Sequence, residues 1–371
     1  MQKLKVEDMN KINNYYWLKL YFTYGVGVVN FLKLLQHFGT PENVFKQDIN
    51  TLAKIVGKPL ATAIMSSNNE SEIEKTLGWL QSAPFTRHLI TLEDSRYPIE
   101  LAQIANPPVL FFAEGNIELL KNKKIAIVGT RHPTNYGIDN AHNFADILAR
   151  NNFTIVSGLA AGIDRYAHEG ALSTKNNSST IAVIGTGLDV VYPASNKLLY
   201  QKIRENGLII SEFSLGTPPA TSNFPRRNRI IVGLSKACLV VESAIDGGSM
   251  ISANFALESG REVLAIPGSI HNPMARGCHK LIKMGAKLCE TATDILDEIK
   301  HTYVEEIKND TNEKDIDPVL VKMGYDEVSI DTICQSLNID FGELCAKLLE
   351  LELDGKIINC GNGRYQRVFN R

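Results

Sequence analysis

The stretch KIAIVGTRHPTNYGIDNAHNFADILARNNFTIVSGLAAG (residues 124–162) sets two short apolar runs, rich in β-branched residues, on either side of a helix-length segment. The same alternation continues to about residue 300, with six strand-like runs at 124–128, 153–157, 181–184, 208–211, 237–241 and 262–266. Strands that alternate with helices are typical of a parallel sheet, and strands that are apolar throughout are covered on both faces. The sequence therefore predicts an α/β fold with an extended Rossmann-like, doubly wound parallel sheet.

Residues 1–300 divide into two regions. Residues 1–82 carry apolar residues at helical spacing and predict a small helical domain of the helix-hairpin-helix or SAM-like type. Its Gly25–Gly27 turn either presents N–H groups to a phosphate or only reverses the chain, and we favour the second interpretation. Residues 83–300 make up the Rossmann-like domain, which begins with an extended lead-in at 90–120.

The end of the chain predicts a linker and a third domain. Residues 301–318 hold six acidic residues against two lysines and few apolar ones, which is typical of a flexible acidic linker. Residues 319–371 then give helix, turn, helix and hairpin, the order of a winged helix. The second helix, 343–353, has three glutamates and one lysine, so it would repel phosphate. We therefore expect this domain to contact protein or to act as a regulatory lid.

Composition excludes several classes of protein. The 371 residues are 44% hydrophobic with a net charge of -2, which is typical of a globular chain that is not basic throughout. No run approaches the roughly 20 apolar residues of a membrane span, and the start lacks the apolar centre of a signal peptide. The six cysteines are scattered without a C-x-x-C pair. We expect a cytoplasmic protein with no membrane segment and no zinc ribbon or redox motif.

Ligands of such a sheet bind outside the carboxyl ends of its strands. The first strand ends in Val128-Gly129-Thr130-Arg131 without the G-x-G-x-x-G fingerprint of a dinucleotide site, which argues against NAD and FAD as cofactors. Instead, small residues follow successive strands at 129–130, 157–162, 185–187 and 247–249. Turns of this kind bring backbone N–H groups close to an anion. Four of them on one edge, together with Arg131, predict a phosphate site.

Three arginines are expected at the same edge. In FPRRNRIIVGLS (224–235), a helix that begins at about Arg227 would place Arg226, Arg227 and Arg229 in its first turn. Cations there oppose the helix dipole by ~0.3 to 1 kcal/mol each, which predicts a bound anion. The alternative is pairing with Glu212 or Glu242, which absorbs one arginine more easily than three. Phe224 beside them suits an unpaired base, since stacking contributes ~1 to 3 kcal/mol per base.

Catalytic groups are less well supported. Asp164 and His168 lie one helical turn apart and are compatible with an acid–base or metal pair. No third ligand has suitable spacing, so we favour the interpretation that Asp164 caps the helix and His168 makes a buried hydrogen bond. Asp189 and Tyr192 shape a turn that can line the crevice. The sequence has neither a nucleophile elbow nor a Walker lysine, and we expect no catalytic residue, metal or cofactor.

Ordered motifs then point to a family. The chain resembles the DNA-processing protein A family, also called DprA or Smf, in IVGTRHPTNYG, SGLAAGIDRYAHEGAL, IAVIGTGLDVVYPASN, FPRRNRIIVGLS, GGSMISANFALESGREVLAIPG and GCHKLIKMGA. The resemblance covers nearly the whole chain. It implies a cytoplasmic homodimer that binds and protects single-stranded DNA and loads the RecA recombinase during natural transformation. It implies no cofactor and no catalytic activity, and it implies dimerisation through the later half of the sheet.

The predicted nucleic-acid-binding residues combine the turns, the arginines and the resemblance. They are Gly129, Thr130, Arg131, Ser157, Gly158, Phe224, Arg226, Arg227, Arg229, Gly248 and Ser249. The competing hypothesis is a nucleotide-processing enzyme similar to the phosphoribohydrolases, which share a P-G-G-x-G-T-x-x-E motif. Matching that motif to Asp246–Gly248 puts Asn254 where the enzyme needs glutamate, and an asparagine cannot take up a proton as a carboxylate does.

Overall fold

The computed structural model describes residues 6–174, 179–300, 317–324 and 326–368, with side chains from residue 13 onward. Within these residues, nine strands form one sheet in the order β1-β2-β6-β5-β4-β3-β7-β8-β9. They are β1 (Arg87–Thr91), β2 (Leu110–Gly115), β3 (Lys123–Val128), β4 (Phe153–Ser157), β5 (Thr180–Val183), β6 (Leu208–Ser211), β7 (Ala237–Val240), β8 (Glu262–Ala265) and β9 (Lys287–Leu288).

The six strands predicted from the sequence are β3 to β8, and all of them pair in parallel. The predicted α/β class with a doubly wound parallel sheet is therefore confirmed. The parallel part of the sheet starts at the central strand β3 and runs outward through β4 and β5 to β6. The chain then returns to add β7 and β8 on the other side of β3. This reversal puts a crevice at the carboxyl ends of β3 and β7, where such sheets bind ligands.

The lead-in at 90–120, which the sequence predicts as an extended segment, pairs into the sheet in the structure. It contributes most of an antiparallel pair, β1 and β2, and β2 continues the sheet beyond β6 with Phe112 opposite Ser211. Gly115 ends β2 with φ at +124°, and a side chain there would meet the Gly207 carbonyl oxygen at 2.4 Å. The physical reason is that β6 would otherwise expose an unpaired edge.

Helices cover both faces of the sheet. One face carries α8 (Asn135–Arg150), α9 (Ile163–Ser173) and α14 (Ala292–Glu298), against side chains such as Ile125 and Ile127. The opposite face carries α7 (Ile99–Ala102), α11 (Asn223–Gly233), α12 (Gly248–Glu258) and α13 (Arg276–Lys283), against Ala126 and Val128. Alternate residues of β3 therefore serve two separate cores, as the two-residue period of a strand requires.

The front of the chain is helical, as its apolar spacing predicts. Its helices are α1 (Val6–Phe22), α2 (Val28–Phe38), α3 (Pro41–Phe45), α4 (Ile49–Val56), α5 (Lys58–Met65) and α6 (Glu70–Ser82). They share a third core with β2, β5, β6 and α10 (Lys197–Asn206), in which Trp17 and Phe112 are both fully buried. The helical region thus packs directly on the sheet. Among the described residues, no helix has the length and apolar character that a membrane crossing needs.

The last described residues form the predicted winged helix. Its helices are α15 (Pro318–Met323), α16 (Ile330–Leu337) and α17 (Phe341–Leu353), and its strands β10 (Val328–Ser329), β11 (Ile357–Gly361) and β12 (Arg364–Arg367) pair in the order β10-β12-β11. Most of the predicted linker, 301–316, lies outside the described residues. Its predicted last residues belong to α15 instead, because the Asp317 carboxylate accepts the Val319 N–H group and Pro318 starts the helix.

Candidate nucleic-acid interface

A cleft of about 520 Å³ opens at the carboxyl ends of β3 and β7. Seven of the predicted site residues line it: Gly129, Thr130, Arg131, Phe224, Arg227, Gly248 and Ser249. Asn228 and Asp164 also line it. The structure therefore brings together three strand-end turns and one face of α11 that are up to about 120 residues apart in sequence.

The turn after β3 is fixed by its neighbours. The Thr130 N–H group donates to the Glu242 carbonyl at 2.8 Å, and the Thr130 carbonyl accepts the Ile163 N–H group at 3.1 Å. Gly129 packs so closely on Ile163 that a Cβ atom would come within 2.5 Å of that side chain. Arg131 follows this turn, is exposed, and places its guanidinium 5.4 Å from the Phe224 ring centroid. A rigid turn thus presents one positive charge to the cleft.

The N-terminus of α12 forms the opposite wall. Its N-cap residue is Gly247, whose lack of a side chain leaves the first N–H groups of the helix, at Gly248 and Ser249, without a side-chain cap. A Cβ atom on Gly248 would have no neighbour within 4 Å, so this corner is open. The Ser249 hydroxyl donates to the Ser243 hydroxyl at 2.7 Å. Uncapped N–H groups and the helix dipole favour an anion here.

Arg227 has a different environment from the one predicted. Its side chain is buried, and its guanidinium donates to the carbonyl oxygens of Gly158 and Val183 beneath the cleft floor. Burial lowers its pKa to about 10, while the charge of Asp164 opposes that change. Arg227 therefore remains charged at neutral pH but ties strand ends together. The structure thus gives Arg227 a supporting role, and a direct phosphate contact by this cleft-lining residue stays a prediction.

Arg226 and Arg229 are paired within the protein. Arg229 donates to the carboxylate of Glu212, which is itself buried, and to the Asn106 carbonyl at 2.5 Å. Arg226 lies 3.7 Å from the other oxygen of Glu212 and stacks over the Phe213 ring at 5.3 Å. The alternative of pairing with Glu212, which was expected to absorb one arginine more easily than three, therefore accounts for two of them.

The start of α11 explains these corrections. The helix begins at Asn223 rather than at about Arg227, so the arginines are its fourth, fifth and seventh residues. The Asn223 amide donates to the Gly185 carbonyl at 3.2 Å and fixes this start. Asn223, Arg227 and Ile230 then share the buried face of the helix at the i, i+4, i+7 spacing. Opposition to the helix dipole falls off within the first turn, so no anion is required to offset it.

The loop after β4 is held by buried polar groups. The Asp164 carboxylate accepts the N–H groups of Gly158 at 3.1 Å and of Ala160 at 3.4 Å. Asp164 lies inside α9, whose N-cap is Gly162. The prediction that Asp164 caps the helix was therefore wrong, and its carboxylate supports the loop instead. Both backbone groups of Gly158 are therefore occupied, which corrects its predicted phosphate contact. Ser157 is fully buried and donates to the Ile127 carbonyl at 2.7 Å, so it too lies beneath the cleft.

His168 makes the buried hydrogen bonds that the sequence interpretation favoured. Its Nε2 atom accepts the Leu159 N–H group at 3.3 Å, and its Nδ1 atom lies 2.6 Å from the Thr180 hydroxyl, which donates to the Ile155 carbonyl. Burial and the charge of Arg227 lower the pKa of His168 to about 3. The ring is therefore neutral, with its proton on Nδ1, and it holds Leu159 in a left-handed conformation with φ at +55°.

Comparison with known proteins identifies the family. Residues 88–300 match the sequence model of DNA recombination-mediator protein A, and residues 308–363 match that of the DprA winged helix domain. The chain belongs to the DprA/Smf family. Protein Smf from Synechocystis is 33% identical over 95% of this chain and 98% of its own length.

Two solved structures of the DprA/Smf family resemble this chain. DNA processing protein A from Streptococcus pneumoniae is 38% identical, covers 77% of this chain and 97% of its own, and has a TM-score of 0.68. DNA processing protein A from Helicobacter pylori, whose structure concerns its single-stranded DNA binding mode, is 31% identical, covers 58% of this chain and 97% of its own, and has a TM-score of 0.53. The predicted DprA/Smf membership is confirmed.

Sequence reasoning missed several residues of the cleft, Asn228 among them, and underrated Tyr192. Asn228 lines the cleft because it lies four residues after Phe224 on the same face of α11, a spacing that is readable from the sequence. Tyr192 was assigned only a place along the crevice, yet its ring stacks on Phe224 at 5.6 Å between centroids. That contact joins two segments more than 30 residues apart, and no local pattern predicts it.

Proposed function

We propose that the cleft binds single-stranded DNA without catalysis, and that this cytoplasmic protein protects such strands and loads RecA on them during natural transformation and homologous recombination. The observation that carries the proposal is the convergence of Arg131, the uncapped N-terminus of α12 and the Phe224 ring on one cleft. The Helicobacter pylori relative supports it, since that protein is described by its binding of single-stranded DNA.

Each wall of the cleft has its own part in this proposal. The N–H groups of Gly248 and Ser249 and the Arg131 guanidinium bind phosphates, and the Gly129-Thr130 turn holds Arg131 in place. Phe224 provides an apolar ring in the cleft, toward which the bases of the bound strand point. Contacts to phosphates and stacked bases carry little sequence information, so we expect weak dependence on sequence.

The remaining predicted residues act as supports. Ser157, Gly158 and Arg227 fix the floor beneath the strand. Arg226 and Arg229 bind Glu212 beside the cleft and fix α11 against the loop that precedes it. Loss of a residue at the cleft walls is therefore expected to change DNA contacts, whereas loss of the buried Arg227 is expected to change folding.

Arg131→Ala tests the proposal in binding assays with oligo-dT over a range of salt concentrations. Each phosphate contact of a single strand contributes about -0.7 to the slope of log K against log salt, so the variant is expected to bind more weakly and to flatten the slope by about that amount. Arg150→Ala is the matched control, because Arg150 ends α8, pairs with Asp146 at 2.8 Å and does not line the cleft. Equal slopes for both variants and the wild type would contradict the site.

The same protein samples also test the competing hypothesis that the protein is a phosphoribohydrolase. Release of a free base or phosphate from mononucleotides by the wild-type protein would favour the phosphoribohydrolase hypothesis. Asn254, which aligns with that enzyme's glutamate when the motif is matched to Asp246–Gly248, lies on the exposed side of α12. We expect no release above the buffer control.

Homodimerisation through the later half of the sheet is part of the proposal. The sheet ends there in β9, a strand of two residues, and exposes the side chains of Met284 and Leu288. Exposed apolar side chains beside a free strand edge favour a protein partner. We expect sedimentation equilibrium to give twice the mass of the chain, and a concentration-independent monomer would contradict this part alone.

A further inference from the structure

Tyr192 holds a position that neither its motif nor the proposed function explains. Its ring stacks against Phe224 with the ring planes at 28° and the centroids 5.6 Å apart. The side chain is nonetheless 42% exposed. It lines the cleft at the carboxyl ends of β3 and β7, and it also lines a smaller cavity beside the loop after β4. A large aromatic ring is therefore kept in solvent at the point where the two cavities meet.

The segment that carries Tyr192 is fixed at several points. The Thr186 hydroxyl donates to the Val190 carbonyl at 2.8 Å, and the Tyr200 hydroxyl donates to the Leu188 carbonyl at 2.6 Å. On the other side, the buried Asn196 amide donates to the carbonyls of Leu159 at 3.0 Å and Ala160 at 3.1 Å. Because the backbone on both sides is tied down, the ring does not have to be ordered when a ligand arrives.

Phe224 has less free surface than its sequence position suggests. The ring packs on the backbone of Gly185, where a Cβ atom would lie 2.9 Å from the Phe224 Cδ1 atom. The Arg131 guanidinium lies over the same ring, and Tyr192 stacks on it. These three contacts make Phe224 the inner member of a stack. The aromatic surface left for a ligand belongs mainly to Tyr192.

We propose that Tyr192 is the platform on which an unpaired base stacks, with Phe224 behind it as the support and Arg131 beside it on the backbone of the strand. The inference rests on the proposed binding of single-stranded DNA and adds the residue that receives a base. Aromatic faces accept every base, which fits a site without sequence preference. The Arg131 charge lies next to the stack, close enough to serve the phosphate of the same nucleotide.

Four variants test the assignment with a short oligo-dT. Tyr192→Ala is expected to lower affinity by about 5- to 150-fold, the range for the loss of one stacked base, and to leave the salt slope unchanged because no phosphate contact is lost. Tyr192→Leu keeps an apolar side chain without a π face and is expected to bind as weakly as Tyr192→Ala. Tyr192→Phe keeps the ring and is expected to bind like the wild type. Tyr192→Trp is expected to lose fluorescence when a base stacks on it.

Oligonucleotides with one abasic site separate base stacking from a purely structural role of Tyr192, because a structural role would not make affinity depend on one particular base. Scanning the abasic site along oligo-dT is expected to reveal a position that weakens the wild type but has no further effect on Tyr192→Ala. Equal abasic profiles for the two proteins, or wild-type affinity in both Tyr192→Ala and Tyr192→Leu, would overturn the inference. If the wild type itself fails to bind oligo-dT, the proposed function fails instead. Binding that depends on Arg131 but not on Tyr192 leaves the proposed function intact and removes only this inference.

Discussion

At the scale of single residues, the arginines of α11 show what charge alone does and does not predict. The sequence places three guanidiniums within four residues and predicts all of them at the carboxyl edge of the sheet. In the structure, Arg227 is the one of the three that lines the cleft. The sequence does not reveal that Arg227 turns under the strand ends while Glu212 pairs with the other two. A signal was present, because Arg227 lies three and four residues before the buried Ile230 and Ile231.

Replacing Arg227 by Met is expected to cost stability more than binding chemistry. The change leaves the buried Asp164 carboxylate without its nearby positive charge, which typically costs about 3 to 5 kcal/mol of unfolding free energy. Urea denaturation measures this value. Arg226→Met is the control, since the Arg226 side chain is 58% exposed, and its cost is expected to stay within about 0.5 kcal/mol. A variant Arg227→Met as stable as the wild type would contradict the buried role.

His168 gives the protein a pH dependence with a defined sign. Its pKa is about 3 in the folded protein against an ordinary value of 6.5, so the unfolded chain binds a proton first as pH falls. Its contribution is fully present above about pH 6.5 and is lost below it at about 1.4 kcal/mol per pH unit. Burial raises the pKa of the neighbouring Asp164 carboxyl. The folded protein therefore takes up that proton before the unfolded chain does, so Asp164 increases the free energy of unfolding as pH falls and opposes the effect of His168.

The variant His168→Gln isolates that contribution. Between pH 7.5 and 5.0 the wild type is expected to lose about 2 kcal/mol more unfolding free energy than the variant, measured by urea denaturation at each pH. Asp164 and Arg227 are the same in both proteins, so their terms largely cancel in the comparison. Parallel pH profiles would show that His168 is not the buried neutral group described above.

At the scale of elements, the N-terminus of α12 is the part of the site whose chemistry depends on backbone alone. Gly247 is the N-cap with φ at -67° and ψ at 150°, and Gly248 is the first helical residue. These backbone angles also suit a residue that precedes proline, and proline is favoured at the first helical position. The N–H group of Gly248 can therefore be removed with little disturbance of the helix.

Gly248→Pro is expected to weaken binding of single-stranded DNA and leave stability nearly unchanged, because it deletes one phosphate-binding N–H group. Gly248→Ala is the matched control, since its N–H group remains and its Cβ atom has no neighbour within 4 Å. Affinity for oligo-dT and the melting temperature are measured for both variants. If Gly248→Pro binds as tightly as Gly248→Ala, the phosphate does not contact this N–H group.

At the scale of the whole molecule, the two ends of the chain relate to the sheet differently. The front helices share one core with β2, β5, β6 and α10, and the Tyr21 hydroxyl donates to the Glu212 carbonyl at 2.6 Å. The winged helix instead has a core made of its own side chains, including Leu320, Ile333, Leu344 and Leu348. Of the two ends, it is therefore the front helices that share a hydrophobic core with the sheet that carries the cleft.

Two truncations test this difference. Removing residues 1–82 exposes Leu110, Phe112 and their neighbours, and at about 1.5 to 3 kcal/mol for each large side chain it is expected to unfold or aggregate the remainder. Removing residues 318–371 leaves the other cores complete, so the melting temperature and the oligo-dT affinity are expected to stay close to those of the full chain. Calorimetry and binding of both products decide between these outcomes. A stable, soluble product of the first truncation would contradict the shared core.

Local sequence was sufficient to predict the β3–β8 strands, the winged helix, and the edge at which Gly129, Arg131, Phe224 and Gly248 meet. These features follow from local periodicity and from the chirality of parallel strand connections, which act over short stretches of chain. Which arginines are buried or paired could be read only from the folded chain, because burial and pairing depend on residues distant in sequence. Arg227 and Arg229 look equivalent in the motif, yet one supports the carbonyls of two strand ends and the other binds Glu212. The strands β1 and β2 depend on distant residues in the same way. β2 pairs the backbone groups at the edge of β6, and no local sequence pattern predicts that pairing.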